Sequence, residues 1–317
     1  MKKTVIALTV AAAALTTGAN AAEVYNKDGN TLSIGGRAEF RGDFGGTESG
    51  DKIDGTMDNK SRFRLNVGGT TQITDNLSGI GFYEAEQTVK SSGDNDAESS
   101  FNQRYLFAGL QGDFGAVTFG RQDTAAVQVS QMSDTTTYTG AQKGFIAASN
   151  EQINNTIAYS GEFLNALTVK ASYIAGSEKD TDGYGISAIY RLPMGLGFGL
   201  GYSAGENDDN ATIVGVNYDV DAFFLGATYT GGDIDKNNDF KGVELSGKYY
   251  VNNEFTVMAA YQKNKAEESA SPTERTEFVE IAADYAFNST LNSYVAYRLD
   301  NESGHDNSLR LGLMYAF

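Results

Sequence analysis

The stretch Leu309-Arg310-Leu311-Gly312-Leu313-Met314-Tyr315-Ala316-Phe317 decides the fold. Every odd position in it is a large apolar residue, and the positions between are Arg310, Gly312, Met314 and Ala316. A strand turns successive side chains to opposite faces, so this segment has one greasy face and one mixed face. A last strand of a soluble sandwich usually trails into polar residues. Here the alternation runs through to an aromatic ring, the pattern of a transmembrane barrel whose final strand stops at the membrane boundary.

The same rhythm recurs upstream. Leu32, Ile34, Ala38 and Phe40 share one face, while Ser33, Arg37, Glu39 and Arg41 share the other. Phe63, Leu65 and Val67 oppose Arg62, Arg64 and Asn66, and Tyr105 with Phe107 opposes Arg104. Leu196, Phe198, Leu200 and Tyr202 alternate with glycine, and Val279, Ile281 and Tyr285 oppose Glu280 and Asp284. A buried face bearing Arg and Glu on strand after strand would be ruinous in a soluble core. With the apolar face in lipid, the charged face lines water and the cost disappears. The expected class is all-β, an antiparallel transmembrane barrel of about sixteen strands.

Met1-Lys2-Lys3, the apolar run Val5 to Leu15 and the small residues of Ala19-Asn20-Ala21 read as a secretory leader cleaved after Ala21. That run is too short to cross roughly 30 Å of hydrocarbon. The expected organisation is a leader at 1–21 and one barrel domain at 22–317. Loss of Lys2 and Lys3 takes the formal charge from −17 to −19. Such an acidic surface argues against nucleic acid and for cations, or for a lipopolysaccharide layer bridged by divalent ions. An exported chain could use disulfides, but there is no cysteine.

Connections sort into two kinds. Short ones carry turn chemistry, as at Thr74-Asp75-Asn76, Gly112-Asp113-Phe114-Gly115 and Pro193-Met194-Gly195. Long polar ones fall at 43–60, 91–100, 122–150, 176–182, 205–210, 232–239, 264–275 and 301–307. Eight long loops and seven short turns join sixteen strands and leave both termini on the short-turn, periplasmic side. Tyr and Phe recur at strand ends, where an interfacial girdle belongs; there is no Trp.

Strand parity puts Arg37, Arg41, Arg62, Arg64 and Arg104 in the lumen with Glu39, Glu84 and Glu86. They either set a pore field or form solvated ion pairs among themselves. Asp233 to Asp239 with Glu244 approaches a calcium-loop spacing, but the sixth-place glycine is missing and strands flank it. A solvated loop tip is the plainer reading. His305 is the single histidine, with Ser303 nearby, in a polar loop that offers no orienting partner for base catalysis. No enzyme, cofactor or metal site is expected.

The chain resembles Gram-negative general diffusion porins, most closely their OmpU-type branch. The resemblance rests on Ala22-Glu23-Val24-Tyr25-Asn26-Lys27-Asp28-Gly29-Asn30 and on the turn Thr71-Gln72-Ile73-Thr74-Asp75. It continues through Phe107-Ala108-Gly109-Leu110, Val117-Thr118-Phe119-Gly120-Arg121 and the terminal Tyr315-Ala316-Phe317. It implies a homotrimer in the outer membrane and a passive channel for small hydrophilic solutes and ions. It also implies a third loop, here 122–150, folded into the lumen opposite wall cations matching Arg37, Arg64 and Arg104. A further wall arginine of such proteins falls near Asn154-Asn155. The loop's own acidic candidates are Asp123 and Asp134, with Glu151 at its end, and the charge balance implies a modest cation preference. Two other readings stay open: a substrate-specific channel, disfavoured because inward positions are mostly Gly, Ser, Thr, Asn and charges, and a porin-like adhesin.

By the same resemblance, Phe317 is a signal to the outer-membrane assembly machinery. One ring in lipid is worth about 2–3 kcal/mol, little against a full ring of strand hydrogen bonds. Deleting Phe317 is therefore expected to cut insertion in cells while protein refolded in detergent still conducts. Normal outer-membrane levels of the deletion variant would refute this.

Overall fold

The computed structural model describes residues 21–46, 52–89, 101–266, 274–302 and 304–317. Residues 1–20 of the expected leader, the external loop 91–100 and Ser303 lie outside the described residues, as do parts of loops 43–60 and 264–275. The strands are β1 (Ala22–Lys27), β2 (Asn30–Gly46), β3 (Lys52–Asn59), β4 (Arg62–Thr74), β5 (Leu77–Thr88), β6 (Asn102–Gly112), β7 (Gly115–Gln122), β8 (Ile153–Phe163) and β9 (Leu167–Ile174). They continue as β10 (Gly183–Arg191), β11 (Leu196–Gly205), β12 (Asn210–Val220), β13 (Phe223–Asp235), β14 (Asn238–Tyr250), β15 (Phe255–Ala266), β16 (Glu274–Ala286), β17 (Leu291–Asp300) and β18 (Ser308–Ala316). One short helix, α1 (Val127–Ser130), and two single 3₁₀ turns sit between β7 and β8.

The registers close a ring. From β4 to β18 each strand pairs antiparallel with the next, β18 returns to β2, and β2 pairs with β4. β1 and β3 add no members to it. β1 continues the line of β18 along one edge of β2, with Ala22 opposite Ile34 where Ala316 lies opposite Arg37. β3 continues the line of β4 along the other edge. Sixteen strand positions therefore close the described barrel, the number that the loop alternation predicts. The expected closure of 30–43 on 306–317 is found with Arg37 to Gly45 against Ser308 to Ala316. Phe317 and Gly36 extend it by exchanging both backbone hydrogen bonds, at 2.9 and 3.0 Å. A closed ring leaves no edge, so the wall's N–H and C=O groups are paired without water.

The faces are inverted relative to a soluble protein. Phe198, Leu200, Ile186 and Ile281 point outward and are exposed, while Asp43, Glu84, Glu244, Glu280 and Arg310 are fully buried. Aromatic residues mark both ends of the outer face, as with Tyr184 and Tyr190 on β10 and Phe223 and Tyr229 on β13.

Two sequence expectations need correction. Tyr105 and Phe107 were expected outside, opposite Arg104, yet Phe107 is buried and both line the inner face, while Leu106 and Leu110 point out. The cause is a bulge: Glu84 pairs with Tyr105 and Ala85 with Gln103, so Arg104 is an extra residue and the parity slips by one. With Phe82 and Ile80 also inward, the lumen wall carries a local apolar patch that parity from Arg104 hides. Second, 232–239 is not a long loop. Asp233 pairs with Asp239 and Asp235 with Asn238, making a tight hairpin tip rather than a calcium-loop fold. The 205–210 connection likewise shrinks, since β11 runs to Gly205 and β12 starts at Asn210.

The seam between β18 and β2 holds a buried ion pair. Arg310 and Asp43 face each other in register, with bidentate contacts of 2.7 and 2.8 Å, and both are fully buried. Removing one partner of a buried pair leaves an uncompensated charge, a loss of about 3–5 kcal/mol. Arg310→Met is expected to lower the urea midpoint of the refolded barrel by that order, and adding Asp43→Leu to restore most of it. Equal midpoints for wild type and Arg310→Met would show that solvent already screens the pair.

Candidate functional site

Inside the barrel, charge is gathered on one arc. Arg37 and Glu39 from β2, Arg62 and Arg64 from β4, Glu84 and Glu86 from β5, and Arg104 from β6 interlock. Arg62 Nε lies 2.7 Å from Glu39 Oε2 and Arg37 Nε 3.6 Å from it. Arg64 reaches Glu86 at 2.6 Å and Glu84 at 3.5 Å, and Arg104 Nε reaches Glu84 Oε1 at 2.7 Å. Tyr294 of β17 donates to the other oxygen of Glu39 at 2.6 Å. Cross-strand neighbours explain the ladder: Arg37 sits opposite Arg64, Arg64 opposite Glu86, and Arg62 opposite Glu39. Four guanidinium groups meet three carboxylates, so the arc is ion-paired and nearly neutral rather than a bare row of cations. Arg41 follows on the same inward face of β2.

The segment between β7 and β8 binds the rest of the polar face. Ala125 N–H donates to Ser172 of β9 at 2.9 Å, and Gln128 donates to Ser187 of β10 at 2.7 Å. Ser133 donates to Glu244 of β14 at 2.7 Å, and Gly140 N–H reaches the other oxygen of that carboxylate at 2.7 Å. Gln142 donates to Asn264 of β15 at 2.6 Å. Glu280 of β16 accepts from Thr136, from both donors of Thr137 and from Tyr138 N–H. Arg310 of β18 donates to Thr137 C=O at 2.7 Å and lies 3.9 Å from the Tyr138 ring centre. The segment thus touches β9 to β18 and, at its start, Tyr105 of β6, and among the described residues makes no hydrogen bond or ion pair with Arg37, Arg62, Arg64 or Arg104.

Inward glycines make room for it. A Cβ on Gly199 would come within 2.5 Å of Met132 and 3.0 Å of Val129, and one on its cross-strand partner Gly215 within 2.8 Å of Met132. On Gly226 it would meet the Met132 carbonyl at 2.2 Å. The alternation of glycine with Leu and Phe on β11 therefore has a use: the glycines seat α1.

The acidic candidates of this segment are each engaged. Asp123 accepts from Tyr105 Oη at 2.9 Å and from Gln152 N–H at 3.1 Å. Burial and the nearby Glu151 push its carboxyl above the usual aspartate range. Asp134 lies 2.9 Å from Lys143 Nζ, which also reaches Glu151 at 3.1 Å. Burial opposes the Lys143 charge, but the two carboxylates outweigh it and hold its ammonium above the ordinary lysine value. Lys143 was not read from the sequence; a lone lysine in a polar loop gives no signal of the acids it will join. Arg121 lies opposite outward-facing Leu106 beyond a bulge, and donates to Asn154 at 3.0 Å. His305 Nδ1 stands 3.5 Å from Asp300. Phe317 stacks on Phe63 and Tyr315 with ring centres 6.2 and 6.1 Å apart.

Known proteins share this architecture and sequence. The Gram-negative porin family matches residues 7–305. Outer membrane protein U of Vibrio parahaemolyticus is 34% identical over the whole of both chains, and that of Vibrio vulnificus 38% identical over 74% of this chain and 70% of its own. Among solved structures, Salmonella typhi OmpF superposes with a TM-score of 0.80 at 20% identity, covering 93% of this chain and all of its own. An anion-selective porin of Comamonas acidovorans does so at 0.72 and 16%, covering 91% of this chain and all of its own. A closed barrel with a charged inner arc, matched to one family along almost its whole length, identifies the chain as a member of the Gram-negative porin family, on its OmpU-type branch.

Proposed function

We propose that the chain is a passive, water-filled channel for small hydrophilic solutes and ions in the outer membrane, with the third loop folded into the lumen as its constriction. The observation carrying this is the uneven binding of segment 123–152, hydrogen-bonded to strands from β9 to β18 and at its start to Tyr105 of β6, with no hydrogen bond to the paired Arg37, Arg62, Arg64 and Arg104 among the described residues. Solutes pass between loop and arc. The exported leader at 1–21, a homotrimeric assembly and delivery by the outer-membrane assembly machinery accompany this reading, as does a lipopolysaccharide surround for the acidic exterior.

Glu280 is the strongest single anchor of the loop, since a carboxylate offers two acceptor oxygens to four donors. Glu280→Gln swaps one acceptor for a donor facing donors, and a bond to a charged group is worth about 1.5–3 kcal/mol. Single-channel recording of this variant is expected to show closures at lower voltage with unchanged open conductance. A wild-type voltage threshold would mean the loop is held elsewhere.

Ion preference is set by a close balance. The arc and Lys143 pairing leave little local field, and the formal charge, −17 for the full sequence and −19 without the leader, adds a weak attraction for cations at the entrances. Exposed charges beyond about 8 Å are screened at physiological salt, so the expected cation preference is modest and fades as salt rises. A reversal potential indicating anion selectivity would overturn it. The anion-selective porin of Comamonas acidovorans has the same fold, which fits a sign set by side chains rather than by the barrel.

Asp123 adds a pH dependence. Its folded-state value lies above the unfolded one, so its ionised form costs stability at neutral pH, and that cost vanishes as pH falls through the raised value. Cation preference is expected to begin dropping at a pH above the ordinary aspartate range, and Asp123→Asn to remove that first step. A pH profile identical in wild type and variant would show that Asp123 does not act on the permeating ion.

A further inference from the structure

Below α1 the lumen wall is not uniformly polar. A recess of about 440 Å³ opens between β5 to β13 and the underside of the loop. One side of it is apolar: Ile80, Phe82 and Phe107 are buried, and Tyr105 stands beside them. The Phe82 and Phe107 ring centres lie 5.5 Å apart at a tilt of 34°, and Phe82 and Tyr105 6.2 Å apart, edge to face. The opposite side presents Lys170 from β9 and, toward the short-turn end, Arg191 from β10. Neither side chain enters a hydrogen bond or ion pair among the described residues. The acids lining the recess are Asp123, already bonded to Tyr105 and Gln152, and the exposed Glu162 at its rim.

On this ground, and resting on the channel reading above, we propose that the recess is a subsite for aromatic carboxylates passing through the pore. A solute ring entering the recess displaces water from its apolar lining, made by Tyr105 and the small exposed parts of Ile80, Phe82 and Phe107, at about 25 cal/mol per Å² removed from water. Ring pairs favour this geometry, with centres 4.5–7 Å apart. The carboxylate of such a solute meets the ammonium of Lys170, which has no hydrogen bond or close ion pair to displace and whose electrostatic neighbour Asp123 is already bonded to Tyr105 and Gln152. A recess of this size falls in the range that holds a small organic molecule. The neutral ion-paired arc offers no comparable hold, because each arginine there already has a carboxylate. The solute therefore pauses beneath the loop while small ions pass.

The test is single-channel recording of the purified full chain in a planar bilayer with potassium chloride, adding 2-naphthoate, 2-naphthalenemethanol or acetate. Current in salt alone tests the channel reading by itself. Given a normal open conductance, 2-naphthoate is expected to give concentration-dependent interruptions, the uncharged alcohol briefer ones, and acetate none. Phe107→Leu should shorten the naphthoate dwell roughly threefold to tenfold. Lys170→Met should shorten it by up to about fivefold and leave the alcohol unchanged. Normal conductance with no naphthoate block overturns the subsite, as does block by acetate equal to that by naphthoate. The comparison of the three solutes on the unmodified chain needs no variant to fold.

Discussion

Everything in this molecule depends on one constraint: within lipid, a backbone N–H or C=O that lacks a protein partner costs several kcal/mol. A sheet can meet it only by having no edge. The pairing of β18 with β2 is where that condition is met, and it is reinforced there by the Arg310–Asp43 bidentate pair and the reciprocal Phe317–Gly36 bonds. Once the ring is closed, side-chain identity follows from the side on which it lies. The outside must be apolar, and the inside is free to carry charge because water reaches it.

That freedom is used unevenly. The arc from β2 to β6 carries interlocked arginines and glutamates, and the remainder carries hydroxyls, amides and glycines with scattered charges, among them Lys170, Glu244, Glu280, Arg298 and Arg310. The second set exists for the segment between β7 and β8. Without that segment Glu244 and Glu280 would face lumen water; the segment covers them and supplies backbone N–H and hydroxyl donors in place of that water. Barrel wall and loop thus form one hydrogen-bonded unit, with Val129 and Met132 of the loop supplying a small core against Ile189 and Ile213.

How much of this could be read in the sequence differs by scale. The barrel was legible because lipid imposes a period of two on every strand, and Leu309 to Phe317 shows it in full. Inward placement of Arg37, Arg62 and Arg64 followed from the same parity. The parity argument broke at Arg104, where one inserted residue turned Tyr105 and Phe107 to the other face; a bulge leaves no mark in the alternation of a short strand. The contacts of the segment between β7 and β8 were not legible. Its anchors pair residues more than a hundred positions apart, such as Ser133 with Glu244 and Thr137 with Glu280, and glycine alternation on β11 does not say what it accommodates. Asp123 and Asp134 were read as loop acids, but their tie to Tyr105 and Lys143 depends on the segment's course.

The glycine seat under α1 has a mechanical side. A tube with Val129 and Met132 packed into Gly199, Gly215 and Gly226 is solid on that flank and hollow on the other. Lateral pressure from the bilayer flattens a half-filled tube by bending its hollow flank, which here is the stretch from β2 to β6. The arginine and glutamate ladder is the bracing across that flank, running strand to strand at right angles to the wall's long axis. Its ion pairs tie β2, β4, β5 and β6 together, so the stiffness of that flank is set by side chains as well as by the wall's backbone hydrogen bonds.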